Sequence, residues 1–252
     1  MSTDTDSDAA TAAAEGEYIL ETKGLTKRFG GLTAVDDVDC NIPYGEIRCL
    51  IGPNGAGKST FFKMLAGRLQ PSNGHIIYQG DDITDLEPHE RARRGVSIKF
   101  QDVSVYPNLS VRENLRIPVQ RYHDGSSIRS EVEDLVALVR LEGNEDVLVD
   151  NLSHGQQQWL EIAMATAIEP QLLLLDEPTA GMTIEETEET GDLIQTLADQ
   201  GMTVVVVEHD INFVRQIAEV VTVLHNGQVF AEGTVSEIES NEEVQRIYLG
   251  QE

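Results

Sequence analysis

A glycine-rich segment between an apolar run and a helix-compatible stretch constrains this chain more than any other feature. The segment reads GPNGAGKST over residues 52–60, follows the apolar run Ile47–Ile51 and precedes residues 61–69. It is a complete G-x-x-x-x-G-K-[ST] phosphate loop in the strand–loop–helix context that the motif requires. The sequence therefore predicts a site for a nucleoside triphosphate.

The residue types of this loop suit a polyphosphate. Its glycines let the backbone bend so that successive N–H groups face one anion, and the following helix adds its positive dipole end. Lys58 is predicted to reach the β and γ phosphates, and the Ser59 hydroxyl to bind Mg²⁺. A glycine-rich turn with a chance lysine is the alternative for a lone match. The predicted nucleotide-binding residues here are Gly52, Pro53, Asn54, Gly55, Ala56, Gly57, Lys58, Ser59 and Thr60.

A second segment supplies two carboxylates. Four leucines at residues 172–175 are followed by Asp176 and Glu177. This pattern is typical of a buried parallel strand that delivers acids to its C-terminal edge, although alone it also fits an ordinary core strand. Together with the loop, it predicts Asp176 near the metal and Glu177 as the residue that orients and polarises the attacking water.

Seven motifs, which follow one another along the chain in the family's order, resemble those of the ATP-binding cassette (ABC) family of transport ATPases. Besides the loop and the carboxylates, LSHGQ at residues 152–156 resembles the family signature LSGGQ. Gln101 in IKFQD resembles the Q-loop, and His209 in VVVVEHD resembles the switch histidine. Phe29 in KRFGG resembles the aromatic residue that stacks on adenine, and AGMT at residues 180–183 resembles the D-loop. The resemblance covers nearly everything after residue 18.

The resemblance implies a role for each of these side chains. Phe29 is expected to stack on adenine, Gln101 to reach the metal and the nucleophilic water, and His209 to contact the γ-phosphate region. Each also has a simpler interpretation. Phe29 alone fits packing in a β core, and Gln101 and His209 fit satisfied polar residues at strand ends.

The signature residues have two interpretations that can hold together. The resemblance implies that Ser153, His154, Gly155 and Gln156 bind the nucleotide held by another subunit. Ser153 and Gly155 are also suited to capping a helix that starts near Gln156. Because the chain has one copy of each motif, the resemblance implies that two copies, or this chain and a related one, sandwich two ATP molecules. His154 replaces the first glycine of the signature. Its side chain is interpreted either as a phosphate ligand or, at least as readily, as a neutral spacer.

Charge narrows the class of partner. The chain has 44 Asp and Glu against 18 Lys and Arg, a formal net charge of -26. Such a field repels nucleic acid, and the sequence shows no basic track for it. Since the acids are scattered through the chain, we interpret them as adaptation to molar salt, in which the Debye length is only about 3 Å. A merely acidic surface is the alternative.

The same resemblance predicts the fold and the organisation. We expect an α/β P-loop core with a parallel sheet, an N-terminal antiparallel β subdomain and a helical subdomain inserted at about residues 103–160. Residues 1–16 are predicted to be a disordered acidic tail and residues 17–252 a single nucleotide-binding domain. Beside the Q-loop, Val103, Val105, Tyr106 and Pro107 are expected either to meet a membrane subunit or to pack inside the subdomain.

Composition also bears on location. No apolar run approaches the roughly 20 residues that a membrane helix needs, and the start of the chain lacks the pattern of a secretory signal. The resemblance implies a peripheral protein on the cytoplasmic face of the membrane, held by permease subunits and indirectly served by an extracellular solute-binding protein. Cys40 and Cys49 are predicted to be buried and reduced, and no zinc site is expected.

Local details resemble one branch of the family. LSHGQQQWLEIAMA, AGMT and VQRIYLG are similar to the ATPase subunits of branched-chain amino acid importers and of their urea-transport relatives. Trp159 stands where most cassettes carry arginine, and its ring is interpreted mainly as a packing anchor. Thr183 stands where the D-loop usually ends in an acidic residue. The predicted function is an ATP-hydrolysing subunit of such an importer, with a non-transport cassette in assembly or scaffolding as the alternative.

Overall fold

The structure is a computed structural model that describes residues 17–99, 104–122, 124–125 and 127–249. The predicted tail at residues 1–16 lies outside these ranges, as do Gln101 and Val103. Within the described ranges, none of the helices has the length and apolar character needed to cross a bilayer.

The first part of the chain forms an antiparallel sheet. Its strands are β1 Tyr18–Phe29, β2 Leu32–Pro43, β4 Asn73–Tyr78 and β5 Asp81–Asp82. They lie in the order β2-β1-β4-β5, and β1 and β2 form a hairpin in which Phe29 pairs with Leu32. Bulges interrupt the inward–outward alternation of both hairpin strands without ending their pairing.

A second sheet forms the centre of the protein. Its strands are β3 Ile47–Ile51, β6 Val96–Lys99, β7 Leu172–Asp176, β8 Thr203–Val207, β9 Val220–His225 and β10 Gln228–Gly233. The order is β10-β9-β3-β8-β7-β6, with every neighbouring pair parallel except β9 and β10. Every residue of β3, β7 and β8 is buried, as expected for strands covered on both faces.

Nine α-helices are described around the sheets. They are α1 Lys58–Leu65, α2 Pro88–Arg93, α3 Val111–Val119, α4 Ser127–Leu138, α5 His154–Thr166, α6 Ile184–Asp199, α7 Ile211–Ile217, α8 Val235–Ser240 and α9 Glu242–Leu249. Serine or threonine caps fix where several of them begin. Ser110, Ser153, Thr183 and Thr234 precede α3, α5, α6 and α8, and each side chain accepts the N–H of the third helical residue.

The central sheet separates two apolar cores. Along β7, Leu173 and Leu175 face one core, whereas Leu172 and Leu174 face the other. The first core lies against α3, α4, α5 and α6, and the second lies against α1 and the antiparallel sheet. Because successive side chains of a strand point to opposite faces of the sheet, a fully apolar strand contributes to both cores.

Helix α1 begins at Lys58 and ends at Leu65, four residues before the end of the helix-compatible stretch 61–69. Gly67 follows in a left-handed conformation, with φ +74°. The buried guanidinium of Arg91 donates to the carbonyls of Met64 (2.8 Å) and Leu65 (2.7 Å), which closes the end of the helix. The sequence therefore carries a local stop signal in Gly67, whereas the distant arginine that binds the last carbonyls leaves no local sign.

Candidate nucleotide and catalytic site

The phosphate loop lies between β3 and α1, at the C-terminal edge of the central sheet. Gly52 has φ +151° and Gly57 has φ +104°. A Cβ atom at Gly52 would lie 2.2 Å from the Leu224 carbonyl oxygen, and one at Gly57 would lie 2.4 Å from that of Ala34. The neighbouring backbone therefore requires glycine at both positions, independently of any ligand.

Lys58 begins α1 and its side chain turns back over the loop. Its Nζ donates to the carbonyl oxygens of Gly52 (2.6 Å) and Pro53 (3.1 Å). Burial lowers the pKa of this amine, while the charges of Glu177 and Asp176 act to raise it. The ammonium is thus fixed beside the loop and within the field of both carboxylates.

The two predicted carboxylates occupy different environments at the end of β7. Asp176 is its last residue and is buried, and burial followed by the neighbouring Glu177 charge raises its pKa. Glu177 has left strand geometry, with φ +46°, and its N–H donates to the Val207 carbonyl at 2.9 Å. The turn directs consecutive carboxylates differently, one toward the interior and one more exposed.

His209 lies beside Glu177. Its Nδ1 is 3.7 Å from Glu177 Oε1, and its side chain is largely exposed. The strands β3, β8 and β7 are adjacent in the sheet, in that order. The phosphate loop follows β3, His209 comes after β8, and Glu177 follows β7. The parallel order of three strands therefore brings Lys58, Glu177 and His209 to one edge of the sheet, as predicted.

Sequence reasoning missed one residue at this edge, Glu208. It is 1 % exposed, and its Oε1 accepts the hydroxyl of Thr179 at 2.6 Å. Its Oε2 accepts the backbone N–H of His209 at 2.9 Å. One carboxylate thus joins the turn after β7 to the turn after β8. The sequence does contain a signal for Glu208, since it is an acidic residue directly after a fully apolar strand and directly before His209.

Phe29 lies at the end of β1 and is 47 % exposed. The alternative that it packs in a β core is therefore wrong. Lys27 Nζ lies 5.4 Å from the centre of its ring, within the range of a cation–π contact. The exposed ring leaves a face for adenine, so stacking stays a prediction.

The signature residues form the start of α5. Ser153 is its N-cap and accepts the N–H of Gln156 at 3.1 Å, while Gln156 Oε1 accepts the N–H of Ser153 at 3.0 Å. The capping interpretation is thus confirmed for Ser153, although the helix begins at His154 rather than near Gln156. Gly155 lies inside the helix and is not its cap. Whether these residues also bind a partner's nucleotide stays a prediction.

Other predicted side chains take definite positions. Trp159 is buried and its Nε1 donates to Thr190 Oγ1 at 2.8 Å, which confirms the packing anchor. Val105 packs against the first core, whereas Tyr106 is 50 % exposed. Packing inside the subdomain is therefore confirmed for Val105 and wrong for Tyr106, for which contact with a membrane subunit stays a prediction. The two cysteines are free and buried, as predicted.

Comparisons with known proteins agree with this architecture. The family model described as ABC transporter matches residues 35–180. The branched-chain amino acid transport ATP-binding protein BraF of Pseudomonas aeruginosa is 36 % identical over 250 residues, covering 92 % of this chain and 98 % of BraF. The lipopolysaccharide export ATP-binding protein LptB of Escherichia coli is 36 % identical over 235 residues, with 92 % and 98 % covered.

Solved structures show the same fold. A nucleotide-free ATP-binding cassette from an ABC transporter is 28 % identical with a TM-score of 0.84, covering 93 % of this chain and 100 % of that one. A dimeric cassette in a post-hydrolysis state, bound to ADP and phosphate, is 30 % identical with a TM-score of 0.76, covering 86 % and 98 %.

This chain belongs to the ABC transporter family. It is the ATPase component, an ATP-binding cassette built on an α/β core with an antiparallel β sheet and helices inserted between β6 and β7. The predicted family, fold class and ATPase activity are thereby confirmed.

Proposed function

We propose that this ABC ATPase powers a membrane importer of branched-chain amino acids, urea or related small polar solutes. The likeness to BraF and the branch-type motifs support this solute class. The observation that carries the catalytic part is the meeting of Lys58, Asp176, Glu177 and His209 at one sheet edge.

In this proposal, the phosphate loop and Phe29 bind ATP. The adenine stacks on the exposed Phe29 ring, and the phosphates lie in residues 52–60 against the N-terminus of α1. Lys58 exchanges its bonds to the Gly52 and Pro53 carbonyls for bonds to the β and γ phosphates. Because the ammonium is already fixed beside the loop, little side-chain entropy is lost on binding.

The oxygen donors at the site suit Mg²⁺. Ser59 offers an exposed hydroxyl, Asp176 a carboxylate at the strand end, and Gln101 is the proposed third ligand. No cluster of three acidic, histidine or cysteine ligands occurs among the described residues. Mg²⁺ in phosphoryl-transfer sites usually binds only one or two carboxylates, because phosphates and waters supply other ligands. When bound, it neutralises charge that develops on the phosphates.

Glu177 and His209 have different roles in the proposed hydrolysis step. Glu177 accepts the proton of a water whose oxygen forms a bond to the γ-phosphorus. The bond from that phosphorus to the bridging oxygen breaks, and its electron pair leaves with ADP. His209 donates to the γ-phosphate oxygens, and its position 3.7 Å from Glu177 lets both act on the same group.

A complete site requires a second cassette. Residues Ser153, His154, Gly155 and Gln156 are proposed to face the nucleotide of a partner, either a second copy or a related ATPase. The dimeric relative bound to ADP and phosphate supports this arrangement. Exposed Tyr106 is proposed to meet a permease subunit at the cytoplasmic face of the membrane, with an extracellular solute-binding protein upstream.

One experiment tests the catalytic proposal. ATP hydrolysis is measured in molar KCl with Mg²⁺ for the wild type, Glu177→Gln and the control Glu185→Gln, with dimer formation followed by light scattering. Wild type and the control should turn over ATP, whereas Glu177→Gln should accumulate as a nucleotide-bound dimer. Full turnover by Glu177→Gln would overturn the assignment. The solute class is tested by uptake of labelled leucine and urea into vesicles carrying the complete transporter.

A further inference from the structure

The start of the signature helix α5 contacts the start of α6 through Ser153. The Ser153 hydroxyl accepts the Gln156 N–H and donates its single proton to Glu186 Oε1 at 3.1 Å. The other oxygen of Glu186 accepts the N–H of Thr183, the N-cap of α6, at 3.0 Å. One carboxylate therefore caps α6 and also binds the serine of the signature.

A second contact lies one residue further along. His154 Nε2 is 3.1 Å from the carbonyl oxygen of Ala180, the first residue of the AGMT segment. A hydrogen bond to this carbonyl requires the proton on Nε2, which also lies 3.3 Å from the side-chain nitrogen of Gln158. The imidazole ring also packs on Gly181, where a Cβ would lie 3.2 Å from His154 Cδ2.

Gly155 provides the space for these contacts. A Cβ atom there would lie 2.4 Å from Glu186 Oε1 and 2.5 Å from its Cδ. Any larger residue would displace the carboxylate from Ser153. The second glycine of the signature thus has a role within its own subunit.

A third contact lies one turn along α5. Trp159 Nε1 donates to Thr190 Oγ1 at 2.8 Å, and that hydroxyl donates to the Glu186 carbonyl at 2.7 Å. The indole is buried in the first core, so the bond is sheltered from water. The three contacts together span the first two turns of both helices.

We propose that these contacts form a brace that fixes the signature segment to residues 180–183 within one subunit. His154, Trp159 and Thr183, the three departures from the common family pattern, all belong to it. The inference rests on the proposed dimer function, because the brace sets where Ser153 stands when a partner's nucleotide arrives. His154 is then a positioning residue: its ring lies against Ala180 and Gly181, and it orders a segment that the common glycine would leave unattached.

The test measures the brace directly and then its effect on dimerisation. Hydrogen exchange of the Met182 and Thr183 amides is compared in wild type, His154→Ala and Trp159→Phe, which keeps an aromatic ring but loses the indole donor. Gln157→Ala is the matched control, since Gln157 bonds the Val149 and Leu152 carbonyls from the same helical turn. The midpoint of ATP-dependent dimer formation is then measured for each.

Loss of one hydrogen bond should speed exchange at these amides about fivefold in both brace variants and leave the control unchanged. The ATP concentration at the dimer midpoint should rise by a similar factor, with ATP binding by the monomer unchanged. Unchanged exchange in His154→Ala and Trp159→Phe would overturn the brace even if dimerisation is normal. A wild type that never dimerises with ATP, yet shows the exchange difference, would instead overturn the proposed function.

Discussion

The carboxylate of Glu177 lies 3.7 Å from Nδ1 of His209, although 31 residues separate them in the chain. They follow the adjacent parallel strands β7 and β8, and Glu208 joins the two turns that carry them. The relative position of the proposed base and the proposed γ-phosphate donor thus depends on a buried carboxylate that has neither role.

Replacing Thr179 by valine should therefore reduce catalysis more than binding. The change removes the 2.6 Å bond to Glu208 while keeping the volume of the side chain. A small displacement of the catalytic groups should lower kcat by about 10- to 100-fold, since misplacement by about 1 Å can cost that much. Steady-state kinetics should show KM nearly unchanged. The control Thr196→Val removes a hydroxyl bond to the Asp192 carbonyl on α6 and should change neither constant.

Arg91 should be among the most important residues for stability. Its guanidinium donates to four carbonyls, those of Met64, Leu65, Thr84 and Leu86, and the residue is 1 % exposed. Arg91→Met leaves these buried acceptors without their donor and should lower the free energy of unfolding by about 3 kcal/mol or more. Urea titration followed by circular dichroism measures it. An exposed match, Arg129→Met, should change stability by less than about 0.5 kcal/mol.

The pKa of Cys40 predicts how stability changes with pH. Burial raises it from 9.0 to about 11, while the adjacent Arg48 opposes the shift. As pH rises past 9.0, the unfolded chain releases the thiol proton first. The contribution of the group, about 3 kcal/mol, is therefore complete below pH 9 and lost as pH approaches 11.

Cys40→Ala should consequently show a shallower loss of stability than the wild type between pH 9 and 11. Chemical denaturation at several pH values measures the difference between the two slopes. Parallel slopes would mean that the thiol does not carry this dependence. In the native protein at pH 8, both buried thiols should also resist a thiol reagent that labels them in urea.

Salt dependence tests the interpretation of the acidic surface. With a net charge of -26, self-repulsion should grow as the Debye length rises from about 3 Å in molar salt to about 30 Å at 0.01 M. The melting temperature should fall markedly when KCl is reduced to low millimolar levels, as scanning calorimetry can follow. A neutral osmolyte should not replace the salt. An unchanged melting temperature in dilute buffer would refute adaptation to salt.

The parts of the site that follow from local sequence were predictable. The bend of residues 52–60 depends on glycines within the segment, and the apolar runs before Asp176 and His209 fix both residues at strand ends. Neighbouring parallel strands then place those ends together. Motif order and strand type therefore sufficed for Lys58, Glu177 and His209.

The contacts that sequence reasoning missed join distant segments. Arg91 binds the last carbonyl of α1 from 26 residues away, and Ser153 meets Glu186 across 33 residues. Neither contact leaves a periodic signal, since each depends on how helices and turns pack in three dimensions. The full length of β1 and β2 is hidden for a related reason, because their bulges disturb the alternation that marks a strand.

The left-handed backbone at Glu177 also has an evolutionary consequence. A glutamate held at φ +46° carries a conformational cost that glycine or asparagine would largely avoid. Selection for stability alone would favour those residues. Substitution at this position would therefore give a more stable protein that lacks the proposed general base, Glu177. Degenerate cassettes that keep the nucleotide but have lost turnover are the expected descendants of such a site, and each would gain thermal resistance as its activity disappeared.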